Sequence, residues 1–129
     1  FRSGPVYGST NAPEDPGSGG GWANYGGAPG GGAVRIDASG HVLVNGTISA
    51  NAGYTYAQWD AGGGSGGGIF ITCSTFGGTN GTLSANGGMA GQGGGAGGRI
   101  AVICTDTASL PCAGQVPPAA SRPRMGRST

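Results

Sequence analysis

Ser65 is the residue that a motif most directly offers as a nucleophile, because Gly63-Gly64-Ser65-Gly66-Gly67 satisfies G-x-S-x-G. That motif needs a strand before the serine and a helix after it, and here the serine is followed by the strand-like Ile69-Phe70-Ile71. His41 is the single histidine, and no motif places an aspartate beside it, so a Ser-His-Asp hydrolase is not expected. G-x-G-x-x-G also occurs within residues 62–67, yet a phosphate cradle needs a helix N-terminus behind the glycines. The chain has no lysine, which removes a Walker site. Calcium-binding glycine nonapeptides need a recurring Asp, and only Asp60 comes near a glycine run. No catalytic residue, metal or cofactor is expected, and the chain reads as a non-enzyme.

Other side chains could bind or cross-link. Asn45-Gly46-Thr47 and Asn80-Gly81-Thr82 are glycosylation acceptors, although Asn-Gly is equally a turn dipeptide whose asparagines could stack as a ladder. Thr47, Ser49 and Asn51 share one side of an expected strand, with Thr82, Ser84 and Asn86 over them. They would form a small flat polar face able to meet polysaccharide or ice, or to pack on another subunit. Trp22, Tyr25, Tyr54, Tyr56 and Trp59 fall in loops, where apolar rings either cover something or meet a neighbour or sugar. Cys73 and Cys104 hold equivalent positions on strands spaced about 4.8 Å apart, which permits a disulfide at the short end of the allowed range, though in poor orientation. Cys104 with Cys112 is the expected pair, against the alternative of free thiols throughout.

What must position these residues is a repeat. Residues 30–53 (GGGAVRIDASGHVLVNGTISANAG) return 35 positions later with no gap, and NGTISANAG and NGTLSANGG agree at seven of nine positions. A further copy opens at GGRIAVICTD, where a step of 31 sets Ile100 on Ile69, Val102 on Ile71 and Cys104 on Cys73. A fixed period of this length marks stacked units that bury their apolar faces against one another.

Composition agrees. With 33 glycines in 129 residues and only 36 % hydrophobic residues, an ordinary globular core is not expected, and without a strict three-residue period neither is collagen. Net charge is +1, and the six basic residues, all arginines, form no stripe, so nucleic acid is not an expected partner. No apolar run is long enough to span a membrane. The chain begins without Met or a signal peptide and reads as a processed or partial polypeptide.

Residues 1–32 are expected to be a Gly/Pro-rich lead-in loop. From Ala33 the alternation of Val34, Ile36 and Ala38 with Arg35 and Asp37 predicts a half-buried strand, His41 to Val44 a second, and Thr47 to Asn51 a third. The middle strand should degrade in the second copy, over residues 75–79. The units are 33–67, 68–98 and 99–110, with 111–129 a disordered or partner-bound Pro/Arg tail. The expected core is Val34, Ile36, Val42, Val44, Ile48, Ile69, Ile71, Leu83, Ile100 and Val102. The glycine runs leave two readings open: extended polyglycine helices lying side by side, or mobile linker.

A glycine run, the strand AVRI, the segment LVNGTISAN and another glycine run resemble the glycine-rich β-solenoid units of large secreted or cell-surface microbial proteins of adhesin-like type. The resemblance covers about residues 4–106. It implies an all-β, short, right-handed parallel β-solenoid of about two and a half rungs, in an extracellular or cell-surface setting, and carries no catalytic residues. Read with the uncapped strand edges, it implies a structural subunit or segment of a fibre, sheath or adhesive that stacks on copies of itself or on other subunits. The alternative is a glycan- or ice-binding module using the Thr/Ser/Asn face and the loop aromatics. A polysaccharide-degrading enzyme is a weaker third, since Asp37, Asp60 and Asp106 are scattered.

Overall fold

A computed structural model describes residues 8–21, 26–55, 61–91 and 93–105. Every regular element among them is a strand: β1 (Ala33–Asp37), β2 (His41–Leu43), β3 (Thr47–Ser49), β4 (Gly68–Cys73), β5 (Thr75–Gly77), β6 (Thr82–Ser84), β7 (Met89–Ala90), β8 (Gly93–Gly94) and β9 (Arg99–Cys104). The repeated segments lie beside one another in parallel, which places like residues side by side. The order β1-β4-β9 makes one sheet, while β2 with β5 and β3 with β6 make two small ones. Ile36, Ile71 and Val102 are thereby aligned across three strands.

The repeat carries a register break that a gapless alignment hides. Ala33 pairs with Gly68 and Thr47 with Thr82, a step of 35, but His41 pairs with Thr75, a step of 34. One residue is lost at the corner after β4, where Ser74 alone stands against Ser39-Gly40, and regained before β6, where residues 78–81 stand against 44–46. Gly78 absorbs the extra residue at φ 148°, where a side chain would be strained and its Cβ would fall on the Val44 carbonyl. The expected degraded middle strand is therefore present, as β5, three residues long and shifted by one.

The core lies between the three stacks. Ile69, Ile71 and Cys73 are sealed, with Ala50 and Ala85, by Val34, Ile36 and Ala38 on one side and Val102 and Cys104 on the other. Val42, Phe76, Ile48 and Leu83 close the remaining directions. Ile100 departs from the expected core: it is 43 % exposed against 0 % for Ile69, its neighbour in register, because no described strand lies beyond β9.

Beyond the strands the chain builds a second kind of packing, and of the two readings of the glycine runs the side-by-side one describes it. Residues 62–67 run through the middle of other glycine-rich segments. Gly62 and Ser65 N–H donate to the carbonyls of Gly21 and Ser18 (both 2.9 Å), and Gly63 and Gly66 N–H to those of Gly93 and Ala96 (3.1 and 2.8 Å). Bonds recur at every third residue, as three residues per turn of polyproline-II backbone require. The close approach depends on missing side chains: a Cβ on Gly67, Gly88 or Gly95 would fall on the carbonyl oxygen of Gly32, Gly53 or Gly64. The glycine run of residues 87–98 also contains the antiparallel pair β7 and β8.

The described part of the lead-in carries no strand but covers the outer face of the sheet. Phe70 points away from the core yet is only 8 % exposed, with the Arg35 guanidinium 5.8 Å from its ring centroid. Arg35 also pairs with Glu14 of the lead-in, and Pro13 is buried. Alternation thus finds the inward face of β4, while contact with residues far away in sequence buries its outward face.

Candidate functional site

Two surfaces stand out, a polar face and a pair of strand edges. Parallel pairing of β3 and β6 sets Thr47 beside Thr82 and Ser49 beside Ser84, and continues through Ala52 N–H to Asn86 O at 2.9 Å. Asn51 Oδ1 accepts from Asn86 N–H (2.7 Å) and from the Ser84 hydroxyl (2.5 Å), and Asn86 Nδ2 donates to Ser84 Oγ (3.3 Å). The structure therefore brings all six residues onto one face, exposed except at half-buried Ser84. It is internally hydrogen-bonded, which holds its hydroxyl and amide groups at strand spacing.

The edges follow from the ladder. Ala38 N–H donates to Thr72 O at 2.9 Å and Gly68 N–H to Gly32 O at 3.1 Å, so the even-numbered residues of β1 face β4. Because N–H and C=O of one strand residue point the same way, Ala33, Arg35 and Asp37 turn theirs to the outer edge of β1. On β9, Arg99 N–H bonds Gly67 O and Thr105 N–H bonds Cys73 O, which turns the backbone of Ile100 and Val102 outward. No described strand pairs with either edge.

A charged strip knits the lead-in to the edge strand β1. Arg35 Nε donates to Asp37 Oδ2 at 2.7 Å, and the Thr72 hydroxyl donates to Asp37 Oδ1 at 2.6 Å. The Thr72 bond first, and then Arg35, holds the Asp37 carboxyl below its ordinary range. The sequence singled out neither Glu14 nor Phe70, and no local pattern marks them, since both act across long sequence separations.

The remaining candidate residues are dispersed. Asn45 is exposed, and its Oδ1 accepts from Thr79 N–H (2.9 Å) and the Thr79 hydroxyl (3.4 Å), so the expected ladder from Asn45 to Asn80 is displaced by the register break. Asn80 is exposed nearby on the same corner. His41 lies on β2 with Nδ1 against the Thr75 hydroxyl, and Ser65 lies in the glycine packing with Oγ accepting from Ser18 N–H at 2.7 Å. Tyr54 is 62 % exposed; Trp22, Tyr25, Tyr56 and Trp59 lie outside the described residues.

Cys73 is a buried free thiol, raised above its ordinary pKa by desolvation, and its sulfur stands 3.9 Å from that of Cys104. Cys104 is disulfide-bonded; Cys112, its expected partner, lies outside the described residues. Among the described residues no three His, Cys, Asp or Glu side chains gather to hold a metal, and no helix is long and apolar enough to cross a membrane. Comparison with protein-family models, with curated proteins and with solved structures found no match.

Proposed function

We propose that this chain is a non-catalytic structural module of an extracellular fibre, sheath or adhesive assembly. In this reading the parallel stacks are about two and a half rungs of a right-handed β-solenoid, the hand that parallel crossovers favour, and the module stacks end to end through its outer strands. The observation that carries the reading is the contrast across the sheet. Ile69 is sealed, its counterpart Ile100 on β9 is 43 % exposed, and the backbone beside Ile100 turns to an edge that no described strand pairs. Paired polar backbone and a covered apolar column are both gained when another parallel strand is added. The extracellular placement rests on the likeness of the repeats to secreted solenoid units.

Sedimentation velocity and negative-stain microscopy across a concentration series test it. Higher assemblies are expected, and Ala33→Pro should reduce them, since it removes one edge N–H of β1 and leaves the bonds to β4 intact. Proline at Val34 or Ile36 is the wrong probe, because those residues face β4. A wild-type protein that stays monomeric and folded at high concentration sinks the reading.

A second reading as a glycan- or ice-binding module is favoured by one observation, the alignment on one face of Thr47, Ser49, Asn51, Thr82, Ser84 and Asn86, exposed except at Ser84 and hydrogen-bonded among Asn51, Ser84 and Asn86. Binding to a glycan array or to ice that Thr47→Val with Thr82→Val abolishes would promote it.

A further inference from the structure

A polyproline-II segment makes no hydrogen bonds within itself and turns once in three residues, so three N–H and three C=O groups per turn leave it in six directions. For residues 62–67, five of those directions carry at least one hydrogen bond each. The N–H groups of Gly62 and Ser65 reach the run 17–21, and their carbonyls accept from Ala28 (3.1 Å) and Gly31 (2.8 Å). Gly67 N–H reaches Ala50 O and the Gly64 carbonyl accepts from Gly88, each at 2.8 Å, while the N–H groups of Gly63 and Gly66 reach the run 93–96. The sixth direction belongs to the carbonyls of Gly63 and Gly66, and no donor among the described residues reaches them. It opens into a groove of about 440 Å³, lined by residues 17–21, by Ala96, Gly97 and Gly98, and also by Pro13, Asp15 and Arg99.

We propose that this groove binds an extended glycine-rich peptide strand of a partner chain. Its N–H groups, three residues apart, would donate to the carbonyl oxygens of Gly63 and Gly66. The class of ligand follows from the filled directions, which take backbone rather than side chains. The runs 17–21, 28–31 and 93–96 each meet residues 62–67 with peptide groups at a three-residue step, and a Cβ on Gly95 or Gly20 would fall on the carbonyl of Gly64 or Gly62. A strand continuing that packing needs glycine where it faces the central run and an N–H there, which proline lacks.

The test is fluorescence anisotropy of a labelled peptide, Gly-Gly-Gly-Ser-Gly-Gly-Gly, titrated with the full chain, with carbonyl ¹³C shifts followed at Gly63 and Gly66. Saturable binding with shifts at those two carbonyls is expected. An all-alanine peptide and a peptide with every amide methylated should each bind at least about tenfold more weakly, as loss of a good hydrogen bond or contact implies. Gly97→Phe and Gly21→Phe fill the groove from its walls, where a Cβ meets no atom of the described residues within 4 Å. Both variants should therefore keep their melting temperature and lose the peptide. No saturable binding, equal binding of the alanine peptide, or full binding by Gly97→Phe that melts normally would each overturn the proposal. Peptide capture by a protein that never assembles would sink end-to-end stacking and leave this site standing.

Discussion

Ile69 and Ile71 are held on every side by other side chains, whereas residues 62–67, a few positions upstream, are held by peptide groups and by the absence of side chains. Both regions bring distant pieces of chain side by side, and they do so by opposite means. In the strands, apolar surface leaves water and the backbone ladder follows. In the glycine runs there is little apolar surface to bury, and close backbone approach lets each turn bond outward in several directions. Ordering glycine costs more conformational entropy than ordering any other residue. The glycine half is thus the more demanding to fold, and β1, β4 and β9, which follow its runs directly, supply fixed ends.

The comparison breaks most visibly at Ile71. Ile71→Asp places an unpaired charge between Ile36 and Val102 and should cost several kcal/mol, read as loss of the cooperative thermal transition. Survival of that transition would show that the side-chain core is not what holds the strands. In the other half, Gly67→Ala should cost about 1–3 kcal/mol or more by overpacking, since its Cβ falls on the Gly32 carbonyl. Gly97→Ala, which meets open space, should be neutral or stabilising by up to about 1 kcal/mol through the unfolded chain. Equal denaturation midpoints for the two would return the glycine runs to the status of linker.

The smallest effect is electrostatic and sits on the outer face of the strand half. The folded Asp37 carboxyl titrates below its unfolded value, so its contribution is present above the unfolded pKa and is lost as the pH falls through the folded one. Thermal melts from neutral to acid pH should show that loss, and Asp37→Asn should flatten it. An unchanged acid limb in the variant would assign the acid sensitivity elsewhere.

How much of this was legible depended on whether side chains recorded it. Val34-Arg35-Ile36-Asp37 and its copies announce the parallel strands, and NGTISAN against NGTLSAN announces that like residues meet, which locates the polar face. Nothing comparable marks partners for the glycines: Gly62 bonds Gly21 and Gly63 bonds Gly93, and glycine beside glycine carries no letter that tells those directions apart. Alternation sets Arg35 on the outward side of its strand and says nothing of what it meets there, whereas it joins Glu14, Asp37 and Phe70 because the lead-in folds back over β4. That contact spans the chain from residue 14 to residue 70, beyond the reach of any local pattern.

The corner at Gly78 has a consequence for how such a chain can change over generations. A residue gained or lost inside a strand would turn every later side chain in that strand to the opposite face. Between strands the same event leaves both flanking faces as they were, provided that a glycine takes up the slack, as it does between β5 and β6. Corners are therefore where insertions and deletions can accumulate harmlessly. Copies within such a chain can drift out of step letter by letter while their neighbours in space stay the same.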